Sequence, residues 1–358
     1  MKSATKEPLL FEQGALPRAL PVVGEQKDIR YYGTIARSVL NGPETTGMGY
    51  WSINPYIGCA FGCAYCYARY AHRWALDRNA TAHPELSDVN ADRDALPFWL
   101  AFERRIFVKK NAAEVLRRTL RTGSERYTAL IKGETIVIGT ATDPYQPAER
   151  RFRVTRSILE VLAEHPDMSI GIITKSPLIT RDVDVLRRIA RHSDLSVHIS
   201  LITLDRDLAR RLEPRAPTPE ARLRALRRLR AEGISASVNV MPVLPGITDG
   251  REQLDDLIRV VADTGATHVS ACPLRLRSTA RQRYLPFIEQ EFPHLAKRYW
   301  ATYAFDHKVS ESYHTWLHDT MAELCAKHGI PFGHETDDED APASVRVLAE
   351  QFLLQLSS

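Results

Sequence analysis

Six short, mostly apolar runs, each followed by a stretch of helical periodicity, predict an α/β chain built on one parallel sheet. Cap and stop signals separate them. Gly233 and Gly265 end two helical stretches, and Thr218-Pro219 starts another as an N-cap followed by proline. Repeats of this kind connect through right-handed crossovers, which makes successive strands parallel. Six units are too few to close an eight-stranded barrel. The predicted fold is therefore a partial (β/α)6 TIM-like barrel, an open parallel sheet with a helical C-terminal extension.

Residues 1–50 read as an irregular N-terminal arm, with Asn41-Gly42-Pro43 and Gly47-Met48-Gly49 as turns. Strands are predicted at Trp51–Tyr56, Thr135–Gly139, Met168–Thr174, Leu195–Leu201, Ser235–Val240 and His268–Leu274. Their apolar character suits strands buried on both faces. Helices are predicted at Ala64–Leu76, Ala112–Thr122, Arg153–His165, Arg181–His192, Pro219–Glu232 and Glu252–Thr264. An insertion over 74–110, carrying Phe98, Trp99 and Phe102, is placed to wall the barrel mouth. The barrel spans 51–275, and 276–358 form the helical extension. There the acidic stretch Asp337–Asp340 leads to a last amphipathic helix with Val345, Leu348, Phe352 and Leu356 on one side. That helix is expected to pack back on its own domain.

With 44% hydrophobic and 26% charged residues, the chain has the composition of an ordinary globular protein. No apolar run approaches a membrane span, and the first residues, Met1-Lys2-Ser3-Ala4, open without an apolar signal core. A cytoplasmic location is expected. The net charge of +4 comes from basic residues set on helices among acids. Arg222, Arg224, Arg227, Arg228 and Arg230 lie opposite Leu223, Leu226 and Leu229, the pattern of a solvated helix face. Charge alone nominates no nucleic-acid partner. The odd count of five cysteines argues against a disulfide framework.

Three of those cysteines fall within eight residues. Asn54-Pro-Tyr-Ile-Gly-Cys59-Ala-Phe-Gly-Cys63-Ala-Tyr65-Cys66-Tyr67 places them at C-x3-C-x2-C on a loop just after a strand. A tetrahedral zinc site wants a fourth ligand, and His72 is the candidate nearby. A four-iron cluster normally takes four thiolates, so three leave one iron open to an outside ligand. An open iron means chemistry.

With its aromatic residue just before the third cysteine, the motif resembles the cluster motif of the radical S-adenosylmethionine superfamily. That resemblance implies a [4Fe-4S] cluster on Cys59, Cys63 and Cys66, and S-adenosylmethionine chelated at the open iron. Reductive cleavage of that cofactor then gives a 5′-deoxyadenosyl radical that abstracts hydrogen from a substrate, here unknown. Further runs are similar to the branch containing spore photoproduct lyase: Gly139-Thr140-Ala141-Thr142-Asp143-Pro-Tyr-Gln-Pro147, Thr174-Lys175-Ser176, Ser200, Glu213-Pro-Arg215 and Met241-Pro-Val-Leu-Pro-Gly246. The likeness covers roughly residues 51–275.

In α/β barrels, ligand groups gather at the C-terminal ends of the strands. Thr140, Thr142, Lys175, Ser200 and Met241 are expected cofactor-binding residues on that ground, joined by Tyr65, expected to flank the adenine or cluster, and by Arg215 beyond the fourth strand. Lys175 and Arg215 would offset a carboxylate. Asp143, before a proline, is expected to fix a turn. Tyr67 and Cys272 are the candidates for hydrogen relay, and Cys325 reads as a small buried hydrophobe. The lyase branch implies a thiol after the second strand, where this chain has Thr140. The resemblance also implies an electron donor such as flavodoxin or ferredoxin. Two alternatives stand beside it: a nucleic-acid lesion repair lyase, and a non-catalytic iron–sulfur or zinc module.

Overall fold

The computed structural model describes residues 22–26, 28–46, 49–69, 96–121 and 124–333. Its strands, in chain order, are β1 (Val22–Gln26), β2 (Ile29–Thr34), β3 (Leu40–Asn41), β4 (Trp51–Ile53), β5 (Tyr56–Ile57), β6 (Arg105–Lys109), β7 (Thr135–Ile138), β8 (Ser169–Thr174), β9 (Asp194–Ser200), β10 (Ser235–Val243) and β11 (Val269–Pro273). The main sheet has the order β11-β10-β9-β8-β7-β4-β3. Six of its strands, β4 and β7 to β11, are mutually parallel and follow one another in chain order, as the repeats predict. β11 and β3 stand at opposite edges, so the sheet is an open partial barrel.

Alternation along these strands sets two different faces. Ile136, Ile138, Ile170, Ile172, Val197, Ile199, Val238 and Val240 are buried in the core shared with the outer helices. Each such side chain contributes about 1.5–3 kcal/mol on burial. The opposite, inner face is buried as well, as expected, but carries many polar side chains. On it Thr135 Oγ1 lies 3.0 Å from Ser169 Oγ, and His198 bridges Ser196 Oγ at 3.0 Å and Ser237 Oγ at 2.7 Å. Buried hydroxyls and imidazole satisfy one another there.

Two predicted helices differ at their starts. The helix expected at 153–165 is Val154–Leu162, and a short helix outside the predicted range, Pro147–Phe152, precedes it across a hinge at Arg153 with φ of 52°. The Glu149 carboxylate accepts the N–H groups of Thr155 and Arg156, which start the second helix. The stretch at 181–192 begins as a 3-10 turn over Pro177–Asp182 before the α-helix Val183–Ile189. The helix predicted at 64–76 is still a series of turns up to Ala68 and turns helical at Arg69, and residues 70–76 lie outside the described residues.

The irregular arm is also corrected. β1 and β2 join β6 and β5 in a second sheet of order β1-β2-β6-β5, and β3 extends the main sheet antiparallel to β4. The first barrel strand therefore ends at Ile53, and Tyr56–Ile57 crosses to the second sheet. Pro55 breaks the ladder between them. Asn54 fixes the break: its side chain accepts from Ala141 N and donates to Thr140 Oγ1, while its carbonyl accepts from Lys109 Nζ at 2.7 Å.

After β11 come the helices Ser278–Glu291, Pro293–Tyr303 and Glu311–Lys327. The chain then returns beside β11, where Val269 bonds Pro331 and Gly333. The predicted last helix with Val345, Leu348, Phe352 and Leu356 lies outside the described residues, as do residues 70–95 of the insertion. Among the described residues, no helix is long and apolar enough to cross a membrane. Cys325 is buried in the core.

Candidate metal and cofactor site

Cys59, Cys63 and Cys66 stand on the loop that leaves β5, at the C-terminal end of the barrel. Burial pushes all three thiols up, Cys59 to about 12. Cys63 feels the charge of both Cys59 and Cys66, and Cys59 feels that of Cys66, so the loop turns them toward one region. The Lys175 ammonium opposes the rise at Cys63 and Cys66, and Arg69 opposes it at Cys66. Metal binding here would therefore release protons and gain from two nearby cations.

The loop backbone is pinned from several sides. Cys59 N donates to Phe102 O at 2.9 Å, and Ala64 N donates to Leu212 O at 2.9 Å. Gln146, fully buried, accepts from Ala60 N at 2.9 Å and donates to Gly58 O at 3.0 Å and to Thr142 Oγ1 at 2.9 Å. Thr142 Oγ1 donates to the same Gly58 carbonyl at 2.6 Å. Arg69, also fully buried, reaches Cys63 O at 2.7 Å and Glu103 Oε2 at 2.8 Å. Two glycines are required. A Cβ at Gly58, with φ of +85°, would sit 2.6 Å from Phe102 O; one at Gly62, with φ of +67°, would sit 2.7 Å from Arg215 Nη2.

Among the described residues, no group of three His, Cys, Asp or Glu side chains is drawn together as a single metal ion requires. His72, the zinc candidate, lies outside them. A four-iron cluster is a body of several atoms with its thiolates set around it. Two buried thiols and one half-buried thiol, coupled through Cys63 and with two cations beside them, fit that group rather than one ion.

The other predicted residues divide into two sets. Tyr65 donates to Glu213 Oε1, Lys175 Nζ lies 3.9 Å from the same oxygen, and Lys175 sits 5.9 Å from the Tyr65 ring centre. Glu213 also takes a hydrogen bond from Arg222. Burial alone would raise this carboxyl, but Arg222 and Lys175 hold it below the usual carboxylate range. For Lys175, burial lowers its pKa, yet Cys63 and Glu213 together leave it raised. Ser200, Met241 and Cys272 share the inner face of β9, β10 and β11. Asn239 pairs in register with Ser200 on one side and Ser270 on the other, and Met241 and Cys272 lie two residues further toward the mouth. Burial pushes the Cys272 thiol up to about 12.

Thr142 and Arg215 serve the loop itself. Arg215 Nε donates to Ala60 O at 2.6 Å and its backbone N to Phe61 O at 3.2 Å. Thr140 Oγ1 accepts from Asn54, and its carbonyl accepts from the hydroxyl of Tyr67, a side chain 44% exposed. Asp143 fixes the turn as expected: it accepts from Tyr145 N, Thr174 Oγ1 and Lys175 N, tying the loop after β7 to the end of β8.

Sequence reasoning missed Gln146, Arg69, Glu103 and Arg222. Gln146 lies within a quoted run but carries no signal separate from it. Arg222 corrects the solvated-face reading of its helix. Arg224, Arg227 and Arg228 are exposed, but Arg222 is buried, donating to Ser200 O, Pro217 O and Glu213.

An open barrel with a three-cysteine loop at its mouth defines a class of protein, and the sequence agrees. The family model of the radical SAM superfamily matches residues 53–259, more than half of the chain, and the chain belongs to that family. Among its relatives is an uncharacterised protein of Mycobacterium tuberculosis, 32% identical over 344 residues and covering 93% of each chain. An uncharacterised protein of Methanocaldococcus jannaschii is 28% identical over 214 residues, covering 60% of this chain and 68% of that one. Among solved structures, a spore photoproduct lyase variant with bound AdoMet and dinucleoside spore photoproduct superposes with a TM-score of 0.59. It is 15% identical and covers 88% of this chain and 86% of the lyase, so it shares the fold.

Proposed function

We propose that the protein is an enzyme that holds a [4Fe-4S] cluster on Cys59, Cys63 and Cys66 and cleaves S-adenosylmethionine reductively. Bound there, the cluster and cofactor supply a 5′-deoxyadenosyl radical able to abstract hydrogen from a substrate. The observation that carries this reading is the three-thiol loop, buried, pinned by Gln146, Arg69 and Arg215, and set at the C-terminal end of an open parallel barrel. Lys175 offers its ammonium to the methionine carboxylate, and Ser200 and Met241 line the inner face beside it. Glu213, Tyr65 and Arg222 hold Lys175 in place. Tyr67, exposed near Thr140, and Cys272, on the inner face, are the groups able to pass a hydrogen atom. A small cytoplasmic donor such as flavodoxin or ferredoxin supplies the electron.

The test is anaerobic reconstitution with iron and sulfide, followed by reductant and S-adenosylmethionine. Wild type should become brown and release 5′-deoxyadenosine, and Cys63→Ala should do neither. Near-normal iron and sulfide in that variant would overturn the ligand assignment. Reductant-independent or absent 5′-deoxyadenosine in a fully loaded wild type would favour a non-catalytic module.

A further inference from the structure

The cleavage proposed above consumes an electron, which has to reach the cysteine loop from outside the chain. Of the five cysteines three stand on that loop, and the two left, Cys272 and Cys325, are too few to hold a second cluster as a relay. Burial closes the loop off, with Cys59 8% and Cys63 7% exposed. A donor must therefore come close to the loop itself, and at one face the loop lies directly under a single side chain.

That side chain is Arg215. Its Nε donates to Ala60 O at 2.6 Å and its Nη2 to Glu103 O at 3.3 Å. A Cβ on Gly62 would stand 2.7 Å from Nη2, so the guanidinium is laid along the backbone of residues 60–62. Yet the side chain is 30% exposed. Asp28, also exposed, lies 3.8 Å from Arg215 Nη1 and 3.2 Å from Arg104 Nε. Arg104 ends the helix Phe98–Arg104, which packs on the helix Ser278–Glu291 that carries Arg283. Arg283 is half-buried and stands 5.7 Å from the Phe287 ring centre. Burial lowers its pKa, Glu103 opposes this, and Arg69, Arg215 and Arg104 lower it further. On the other flank the exposed Arg151 stands 5.3 Å from the ring centre of Phe152, which meets the Tyr31 ring at 5.6 Å. Burial raises the Tyr31 hydroxyl, and Arg215 and Arg151 both oppose it. Glu103 is buried and already bonded to Arg69 at 2.8 Å. Arg104, Arg151, Arg215 and Arg283 thus surround this stretch of loop, and the exposed carboxylate set among them, Asp28, offsets one.

We infer that this face docks an acidic protein carrying a low-potential redox centre, held by Arg104, Arg151 and Arg283 over the backbone of the cysteine loop. The inference rests on the proposed cofactor chemistry, for which it supplies the place where the electron enters. One electron leaves the donor's reduced centre and enters the cluster; the donor is oxidised by one electron, the cluster is reduced by one, and no bond or proton moves. Guanidiniums crowded together repel one another, and a partner's carboxylates settling between them relieve that repulsion. Their planar forks grip carboxylates in pairs, and their combined field steers an oppositely charged protein toward the loop.

The probes are flavodoxin, an acidic donor protein; photoreduced deazariboflavin, a small reductant that needs no docking; and a short single-stranded oligonucleotide. Each is applied to the cluster-loaded chain. Calorimetry gives the affinity for oxidised flavodoxin, and bleaching of the cluster absorbance gives the rate of reduction by either reductant. The triple variant Arg104→Gln, Arg151→Gln, Arg283→Gln should weaken flavodoxin binding and slow its reduction of the cluster about tenfold or more at low salt. The difference should vanish at about 1 M salt, where the screening length is about 3 Å. Asp28→Asn should move both readouts the other way, and lysine at the same three positions should recover most of the loss; a merely structural defect would do neither. Deazariboflavin should bleach every variant at the wild-type rate. No flavodoxin binding by wild type, or binding unmoved by the triple variant, would overturn the docking face. So would oligonucleotide binding that the triple variant abolishes while flavodoxin is unaffected, which would assign the face to nucleic acid. Absence of 5′-deoxyadenosine from loaded wild type reduced by deazariboflavin would instead refute the cofactor chemistry, so the two failures are distinguishable.

Discussion

Gln146→Leu isolates the grip on the cysteine loop. Leucine keeps the buried volume near that of glutamine but removes the bonds to Ala60 N, Gly58 O and Thr142 Oγ1. Gly58 O keeps its bond from Thr142, whereas Ala60 N–H loses its acceptor inside a buried loop. An unsatisfied buried donor costs about 1–3 kcal/mol, and a lost neutral hydrogen bond about 0.5–1.5 kcal/mol. The loop should therefore open more readily by about 2–4 kcal/mol, or roughly 30- to 700-fold. The assay is the rate at which a ferrous chelator strips iron from anaerobically loaded protein, since the cluster is reached by opening its loop. Iron loss at the wild-type rate, in a variant that loads fully, would show that Gln146 does not hold the loop closed.

Removing the positive partner of Glu213 should damage the fold near the cofactor. Arg222→Met leaves a buried carboxylate facing Tyr65 and Lys175 alone, at a cost of about 3–5 kcal/mol, and Glu213→Gln in the same chain should recover part of the loss. A double variant no more stable than Arg222→Met would refute the pairing. Because Glu213 titrates below its ordinary value when folded, its contribution is present above the usual carboxylate pKa and lost as pH falls through the lowered value. Lys175→Ala and Ser200→Ala should keep the cluster while weakening S-adenosylmethionine by about 1.5–3 kcal/mol, roughly ten- to a hundredfold; unchanged affinity in both would return them to structural roles. With Thr140 after β7 in place of a thiol, whose S–H is far weaker than a hydroxyl O–H, the protein should cleave its cofactor yet form little repaired dinucleotide from the thymine photodimer. Many clean turnovers, insensitive to Cys272→Ala, would contradict that.

The six barrel strands and the cysteine loop were legible in the sequence because both are local. A strand shows in a run of neighbouring residues, and C-x3-C-x2-C is a spacing along the chain. The polar inner face was legible too, in the alternation Ser196-Val-His198-Ile-Ser200 and Ser235-Ala-Ser237-Val-Asn239, although apolar content alone concealed it. The second sheet could not be read, since β2 finds its partner β6 some seventy residues away and neither strand announces the pairing. The supports of the site have the same origin. Gln146 meets Ala60 across 86 positions, and Arg215 meets it across 155. Arg222 looks like its exposed neighbours on the helix until Glu213 and the Ser200 carbonyl come within reach. Spacing nominated the three cysteines proposed as metal ligands; which polar side chains hold their loop was decided by tertiary contact, because a buried hydrogen bond depends on distance in space and not on distance along the chain.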